Sequence, residues 1–180
     1  MPLLNSVTTP YAEALLQVVS ENDQTEEMVS EVKELLALIN DAPELGKAFS
    51  SPVLETEAKK KIINELFSDK INFSLFNFLK LLADRQRIGI LTSILNRFLE
   101  IYRENSNIAL ATVTSAVKLT SKQKGLITKK IINLAGTEKL ELVTKIDPSL
   151  IGGFVASVGS KVIDASLASQ IRKLGLSLSK

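Results

Sequence analysis

The 180-residue chain contains no cysteine, no histidine and no tryptophan. Without cysteine there can be no disulfide, no thiolate nucleophile and no thiolate ligand, and the redox compartment is left undetermined. Without histidine the commonest general base and the imidazole metal ligand are missing as well. The two absences remove the usual nucleophile pairs, so catalysis would have to rest on carboxylate, lysine, serine or tyrosine. No pair of carboxylates stands out for that work. Acidic residues fall mostly in helical stretches four positions from lysine, as in Glu55 with Lys59 and Glu57 with Lys61, which reads as solvated helix-face pairing. The pattern speaks against an enzyme, and neither cofactor nor metal is expected.

Long apolar runs are also missing: none approaches the ~20 residues that span a bilayer. The opening "MPLLNSVTTP" has neither a basic leader with a long apolar core nor an Arg-rich amphipathic pattern. No import segment is therefore expected, and the chain is expected to work in the compartment where it is made. Apolar residues make up 45% and charged residues 23%, ordinary values for a soluble globular protein.

Three of the eight glycines and a lysine lie in "IGGFVASVGSK", residues 151 to 161, which invites a phosphate-binding reading. The spacing fails. Five residues before Gly159 stands Phe154 rather than glycine, Ser160 precedes Lys161, and "FVASV" between them is strand-like. The stretch reads instead as a hairpin whose two-residue turn, Gly159-Ser160, has glycine where a II′ turn needs it. Gly152-Gly153 reads as a place where a turn needs positive φ or where backbone approaches a neighbouring helix. Asp164 reads as an N-cap or turn former before the last helix rather than an acid catalyst.

Charge and aromatic content divide the chain. Residues 1–105 hold 11 Lys and Arg against 16 Asp and Glu, net −5, whereas residues 106–180 hold 11 against 4, net +7. Of nine Phe and Tyr residues, Phe154 alone lies in the second part. Two parts with different partners are expected.

The first part reads as an antiparallel bundle of six helices. Thr9 and Pro10 offer an N-cap and N1 proline for "YAEALLQVVS". Asp23 and Glu26 have capping-box spacing ahead of an apolar stripe of Met28, Val32, Leu35, Leu36 and Ile39. A short helix near 43–49 follows, then "SPVLETEAKKKIINELFSD", where Lys59-Lys60-Lys61 reads as a wet face. "NFSLFNFLKLLAD" is apolar almost all round and must be covered on most sides or keep one side for a partner. Ile94, Phe98, Ile101 and Tyr102 mark the sixth helix, which Asn105 closes.

After Asn105 the period changes to two. "NIALATVTSAV" sets Ile108, Leu110 and Thr112 against Ala109, Ala111 and Val113. Thr120 and Gln123 suit a capping box for a helix carrying Leu126, Ile127, Lys130, Ile131 and Leu134, ended by Gly136. "KLELVTKI", an Asp147-Pro148 turn, the hairpin, and a helix near 166–178 with Leu167, Ile171, Leu174 and Leu178 on one stripe complete the second part. The fold class is α+β: a helical part, 1–105, followed by a small α+β part, 106–180, with a short mixed sheet and two helices.

Four segments in order, "PYAEALLQV", "NFLKLLADRQRIGIL", "SAVKLTSKQK" and "KIDPSLIGGFVASVGSKVIDASLASQIRKL", resemble the delta subunit of F-type ATP synthases, whose mitochondrial counterpart is the oligomycin sensitivity-conferring protein. The resemblance spans nearly the whole chain. It implies a non-catalytic stator subunit at the top of the peripheral stalk, linking the catalytic head to the membrane-anchored stalk so that rotation is coupled to ATP synthesis. It further implies that residues 1–105 grip the N-terminal segments of α subunits and that residues 106–180 meet b-type stalk subunits. The protein would lie on the cytoplasmic or stromal face of a plasma or thylakoid membrane, without inserting into it. The family's groove between the first and fifth helices corresponds here to Tyr11, Ala14 and Leu15 with Phe78, Leu81 and Leu82. Plain core packing is the alternative for Leu15 and Leu82, whereas Tyr11 and Ala14 stand toward the edge of the buried stripe. The rival class is a nucleic-acid-binding module using the basic second part. Lys122, Lys124, Lys129 and Lys130 have no aromatics interleaved for stacking, however, and Arg172 is the one arginine there.

Overall fold

A computed structural model describes residues 2–68, 70–136 and 139–178. It is α+β, with eight α-helices and one four-stranded mixed sheet among the described residues. The chain divides into two compact units, Met1–Tyr102 and Arg103–Lys180.

Six helices precede the first strand: α1 (Pro2–Glu21), α2 (Thr25–Asp41), α3 (Pro43–Ser50), α4 (Thr56–Phe67), α5 (Phe73–Asp84) and α6 (Leu91–Asn105). Their apolar stripes meet in one core in which Met28, Ile63, Leu79, Ile94, Leu95 and Phe98 are wholly buried. Each such side chain contributes ~1.5–3 kcal/mol of transfer free energy.

Local signals misplace three features here. α1 begins seven residues before Thr9, and Pro10 lies inside it. Thr9 does not cap: its Oγ1 accepts from Arg97 Nε at 3.3 Å, and Thr8 beside it is buried, so contacts with the rest of the unit hold the extra turns despite the proline. Asp23 does not cap α2 either. It has φ +55° and closes α1, with the Gln24 N–H donating to the Val19 carbonyl and the Asp23 N–H to the Ser20 carbonyl, the paired bonds of a Schellman motif. The lysines of α4 are not a wet face of i,i+4 pairs. Lys59 Nζ donates to the Ser51 carbonyl at 2.7 Å rather than to Glu55, and Lys60 pairs with Glu57 and, across to α5, with Asp84. Lys61 alone of the three is fully exposed.

In the second unit β1 (Ile108–Ser115), β2 (Lys139–Ile146), β3 (Phe154–Val158) and β4 (Lys161–Asp164) form a sheet in the order β2-β1-β3-β4. β1 and β2 are parallel, joined by the crossover helix α7 (Ser121–Ala135), and the other pairs are antiparallel. Ala111, Val113 and Ala156 face α7, which buries Ile127 and Ile131 against them. Leu126, expected on that stripe, is instead 62% exposed, and Lys130 is exposed too. The side chain of Leu134 lies outside the described residues, as do those of Leu174 and Leu178 in α8 (Leu167–Leu178).

Caps and turns follow the sequence closely in this unit. Thr120 and Gln123 form a reciprocal capping box, and Gly136 ends α7 at φ +70°. In the β3–β4 turn the positive φ falls on Gly159, +55°, and not on Ser160, as II′ geometry requires. Gly153 has φ +76°, and any Cβ there would collide with the Ala165 carbonyl oxygen. Asp164 is the turn former: its Oδ1 accepts from the Ser166 N–H at 2.9 Å and from Ser166 Oγ at 2.7 Å. Ser166 Oγ in turn accepts from the Ser169 N–H and supplies the cap of α8.

Candidate functional site: an apolar groove between α1 and α5

The start of α5 is tied to α2. Asn72 Oδ1 accepts from the Ser74 N–H at 2.9 Å as the helix cap, while the Asn72 backbone N–H donates to Glu31 Oε2 at 2.9 Å and its side-chain amide to Gln24. The other end of α5 closes in a second Schellman motif, with Gln86 at φ +55° and the Arg87 N–H donating to the Leu82 carbonyl at 2.8 Å. That turn delivers Arg87 to α1. Its Nη1 donates to the Tyr11 hydroxyl at 2.7 Å, and the guanidinium lies 5.4 Å from the Tyr11 ring centroid.

Between these anchors a hollow of about 510 Å³ opens along both helices. α1 lines it with Pro10, Tyr11, Ala14, Leu15 and Val18, and α5 with Phe73, Ser74, Asn77, Phe78 and Leu81. Each helix contributes positions i, i+1, i+4, i+5 and i+8, one stripe of a 3.6-residue period. None of the ten carries a charge. Tyr11 and Phe78 meet edge to face with centroids 6.4 Å apart and set the depth of the channel. Leu15 and Phe78 form its nearly buried floor, while Phe73 is 78% exposed, Val18 46% and Leu81 45%. Such exposed apolar side chains, in one row over an apolar floor, suit a second amphipathic helix.

Of the six residues singled out from the sequence, Tyr11, Ala14, Leu15, Phe78 and Leu81 come together in this lining. Leu82 does not. It is wholly buried in the core, one residue and about 100° around the helix from Leu81. Pro10, Val18, Phe73, Ser74 and Asn77 complete the groove and escaped the sequence reading, although extending the same spacing by one turn reaches Val18 and Ser74.

Among the described residues no three acidic side chains cluster so as to hold a metal, and no helix is long and apolar enough to cross a membrane. The glycine-rich stretch is strand and turn rather than a phosphate cradle.

Comparison with known proteins agrees with this architecture over the full length. The family model described as ATP synthase delta (OSCP) subunit matches residues 7–178. The ATP synthase subunit delta of Prochlorococcus marinus strain MIT 9301 is 89% identical over 180 residues, covering all of both chains. That of strain MIT 9303 is 57% identical over 180 residues, all of this chain and 99% of the relative. Among solved structures, a chain of the Toxoplasma gondii mitochondrial ATP synthase hexamer superposes with a TM-score of 0.72 at 20% identity, covering 96% of this chain and 97% of that one, a likeness of fold. The chain belongs to the ATP synthase delta (OSCP) subunit family.

Proposed function

We propose that this subunit couples the rotary complex by receiving, in the α1/α5 groove, the apolar face of an N-terminal helix of an α subunit, while residues 106–180 meet b-type stalk subunits. Members of the family are non-catalytic components of the peripheral stalk, peripheral to the membrane-bound complex. The groove is the observation that carries the finer reading: ten uncharged positions at helical spacing on two facing helices. Residues 1–105 serve as a helical bundle for the head and residues 106–180 for the stalk, matching the change from net −5 to net +7. The protein works on the cytoplasmic or stromal face of the energy-transducing membrane, a thylakoid in a cyanobacterial setting such as that of its Prochlorococcus relatives.

The magnitudes suffice. A nanomolar contact corresponds to about −12 kcal/mol, and an interface of ~1,600 Å² reaches that when a few aromatic or aliphatic anchors are buried. The nucleic-acid alternative has no observation behind it. Phe154, the sole aromatic of the basic part, packs against its core and offers no stacking platform.

Depletion and re-addition test the proposal. ATP synthase stripped of this subunit should hydrolyse ATP without pumping protons, and adding back the full chain should restore pumping. Undiminished coupling in the depleted complex would overturn it.

A further inference from the structure

The sequence of α8 repeats an apolar residue at Leu167, Ile171, Leu174 and Leu178, steps of four, three and four that keep to one face of a helix. The first of these is spent on its own unit. The Leu167 N–H donates to the Gly152 carbonyl at 2.9 Å, and the side chain presses so closely on Gly152 that a Cβ there would lie 2.6 Å from Leu167 Cδ1. One turn on, Ile171 is 58% exposed and takes no part in the core of Ala111, Val113, Ile127, Ile131 and Ala156. The helix is fastened at its start and offers an apolar side chain beyond it.

α8 also carries Arg172 and Lys173 and no acid. Such a helix complements the α1/α5 groove in length, polarity and charge. From Ile171 to Leu178 it runs ~10 Å, against ~12 Å for the stripes Pro10 to Val18 and Phe73 to Leu81 that line the groove. The lining is uncharged and leaves Phe73, Val18 and Leu81 open to an apolar face. Three positions on from Pro10, Ala14 and Val18, α1 sets a polar rim of exposed Glu13, Gln17 and Glu21, whose carboxylates suit Arg172 and Lys173. With net −5 in residues 1–105 and net +7 in residues 106–180, two copies attract head to tail and repel groove to groove.

We infer that, before it joins the complex, the subunit associates head to tail, the α8 of one copy seated in the α1/α5 groove of a second copy. The inference rests on the reading of that groove as a receptor for an amphipathic helix, and it makes the α-subunit segment a competitor for an occupied site. A head-to-tail contact leaves a groove and a helix unused at the two ends, so it propagates instead of closing at a dimer. So short a helix buries less than the ~1,200 Å² of a stable interface, and the pairing shows at protein concentrations on the order of 100 µM.

Sedimentation of the purified full chain between about 10 and 300 µM tests it. The weight-average mass should climb with concentration and pass that of a dimer. Ile171→Asp and Ala14→Asp, both at exposed positions, should each hold the chain monomeric, with circular dichroism melts showing that both variants fold. Mixed one to one, the two variants should pair again and stop at a dimer, because one keeps a groove and the other a helix. A chain that is monomeric at every concentration, association untouched by either substitution, or a mixture of the variants that stays monomeric would overturn the pairing. If that monomeric chain still binds the α-subunit N-terminal peptide, the groove reading stands without the pairing. The peptide added to the unsubstituted oligomers should return them to monomers. Oligomers that depend on Ala14 and Ile171 yet ignore the peptide would uphold the pairing and overturn the α subunit as the occupant of the groove.

Discussion

Replacing Ala14 with aspartate isolates the groove from the fold. Ala14 is exposed on α1, so the substitution costs folding about the helix-propensity difference, ~0.7 kcal/mol. In the docked state the same carboxylate is enclosed by a lining that carries no positive charge. A carboxylate enclosed without a partner costs ~3–5 kcal/mol. The α-subunit N-terminal peptide should therefore bind on the order of a hundredfold more weakly or worse, moving a nanomolar affinity toward the micromolar range. Ala14→Asn, close in size but neutral, should lose only about tenfold, the share of an unsatisfied polar group. Isothermal titration of the peptide into the full-length chain reads both numbers, and circular dichroism melts confirm that the fold survives. Full affinity in a folded Ala14→Asp protein would refute the reasoning.

Gly153→Ala should destabilise the second unit by about 3 kcal/mol, because it adds left-handed strain to a collision with the Ala165 backbone; hydrogen exchange in β3 and at the start of α8 would report it, and native-like protection would contradict it. Thr120→Ala removes the hydroxyl half of the α7 capping box and should cost ~1 kcal/mol, read from denaturant midpoints. Hydrogen bonds to Asp84, and then to Glu57, raise the Lys60 pKa above 10.5. Their stabilisation is thus fully present below pH 10.5 and lost as pH rises through the raised value, and Lys60→Met should flatten that alkaline fall in the melting midpoint. Hydrogen bonds from Ser149 lower the Asp147 pKa below 3.8, so that contribution holds above pH 3.8 and disappears as pH falls through the lowered value, a step that Asp147→Asn should abolish.

The sequence is most transparent where one residue type is forced by local geometry. Gly159, Gly136 and the Thr120–Gln123 pair each announce a turn or cap whose hydrogen bonds close within a few residues, and the structure forms them as such. It misleads where a local signal has two uses. Thr9-Pro10 has the form of a helix start, yet the helix runs through it, with Thr9 bonded to Arg97 far along the chain and Thr8 beside it buried. Asp23 has the side chain of an N-cap, but its tolerance of left-handed backbone is what the α1–α2 turn uses. The groove is legible in part. The family resemblance implies Tyr11, Ala14, Leu15, Phe78 and Leu81 as groove residues, and they do meet in one lining. Which of two adjacent leucines, Leu81 or Leu82, faces outward depends on the rotation of α5, and that is fixed by Asn72 and Arg87 through contacts 41 and 76 residues away. Ile151, at φ +64°, carries no signal in the sequence, because the pattern alone puts the positive φ on the glycines that follow it.

The account turns on what fills the channel between α1 and α5 when the complex is assembled. An electron cryomicroscopy map of ATP synthase from the native membrane, at side-chain resolution, answers that directly. Helical density lying over Ala14 and Phe78 and continuous with an α subunit is the expected result. A groove that is empty in the assembled complex, or filled by a segment of any other chain, would contradict it.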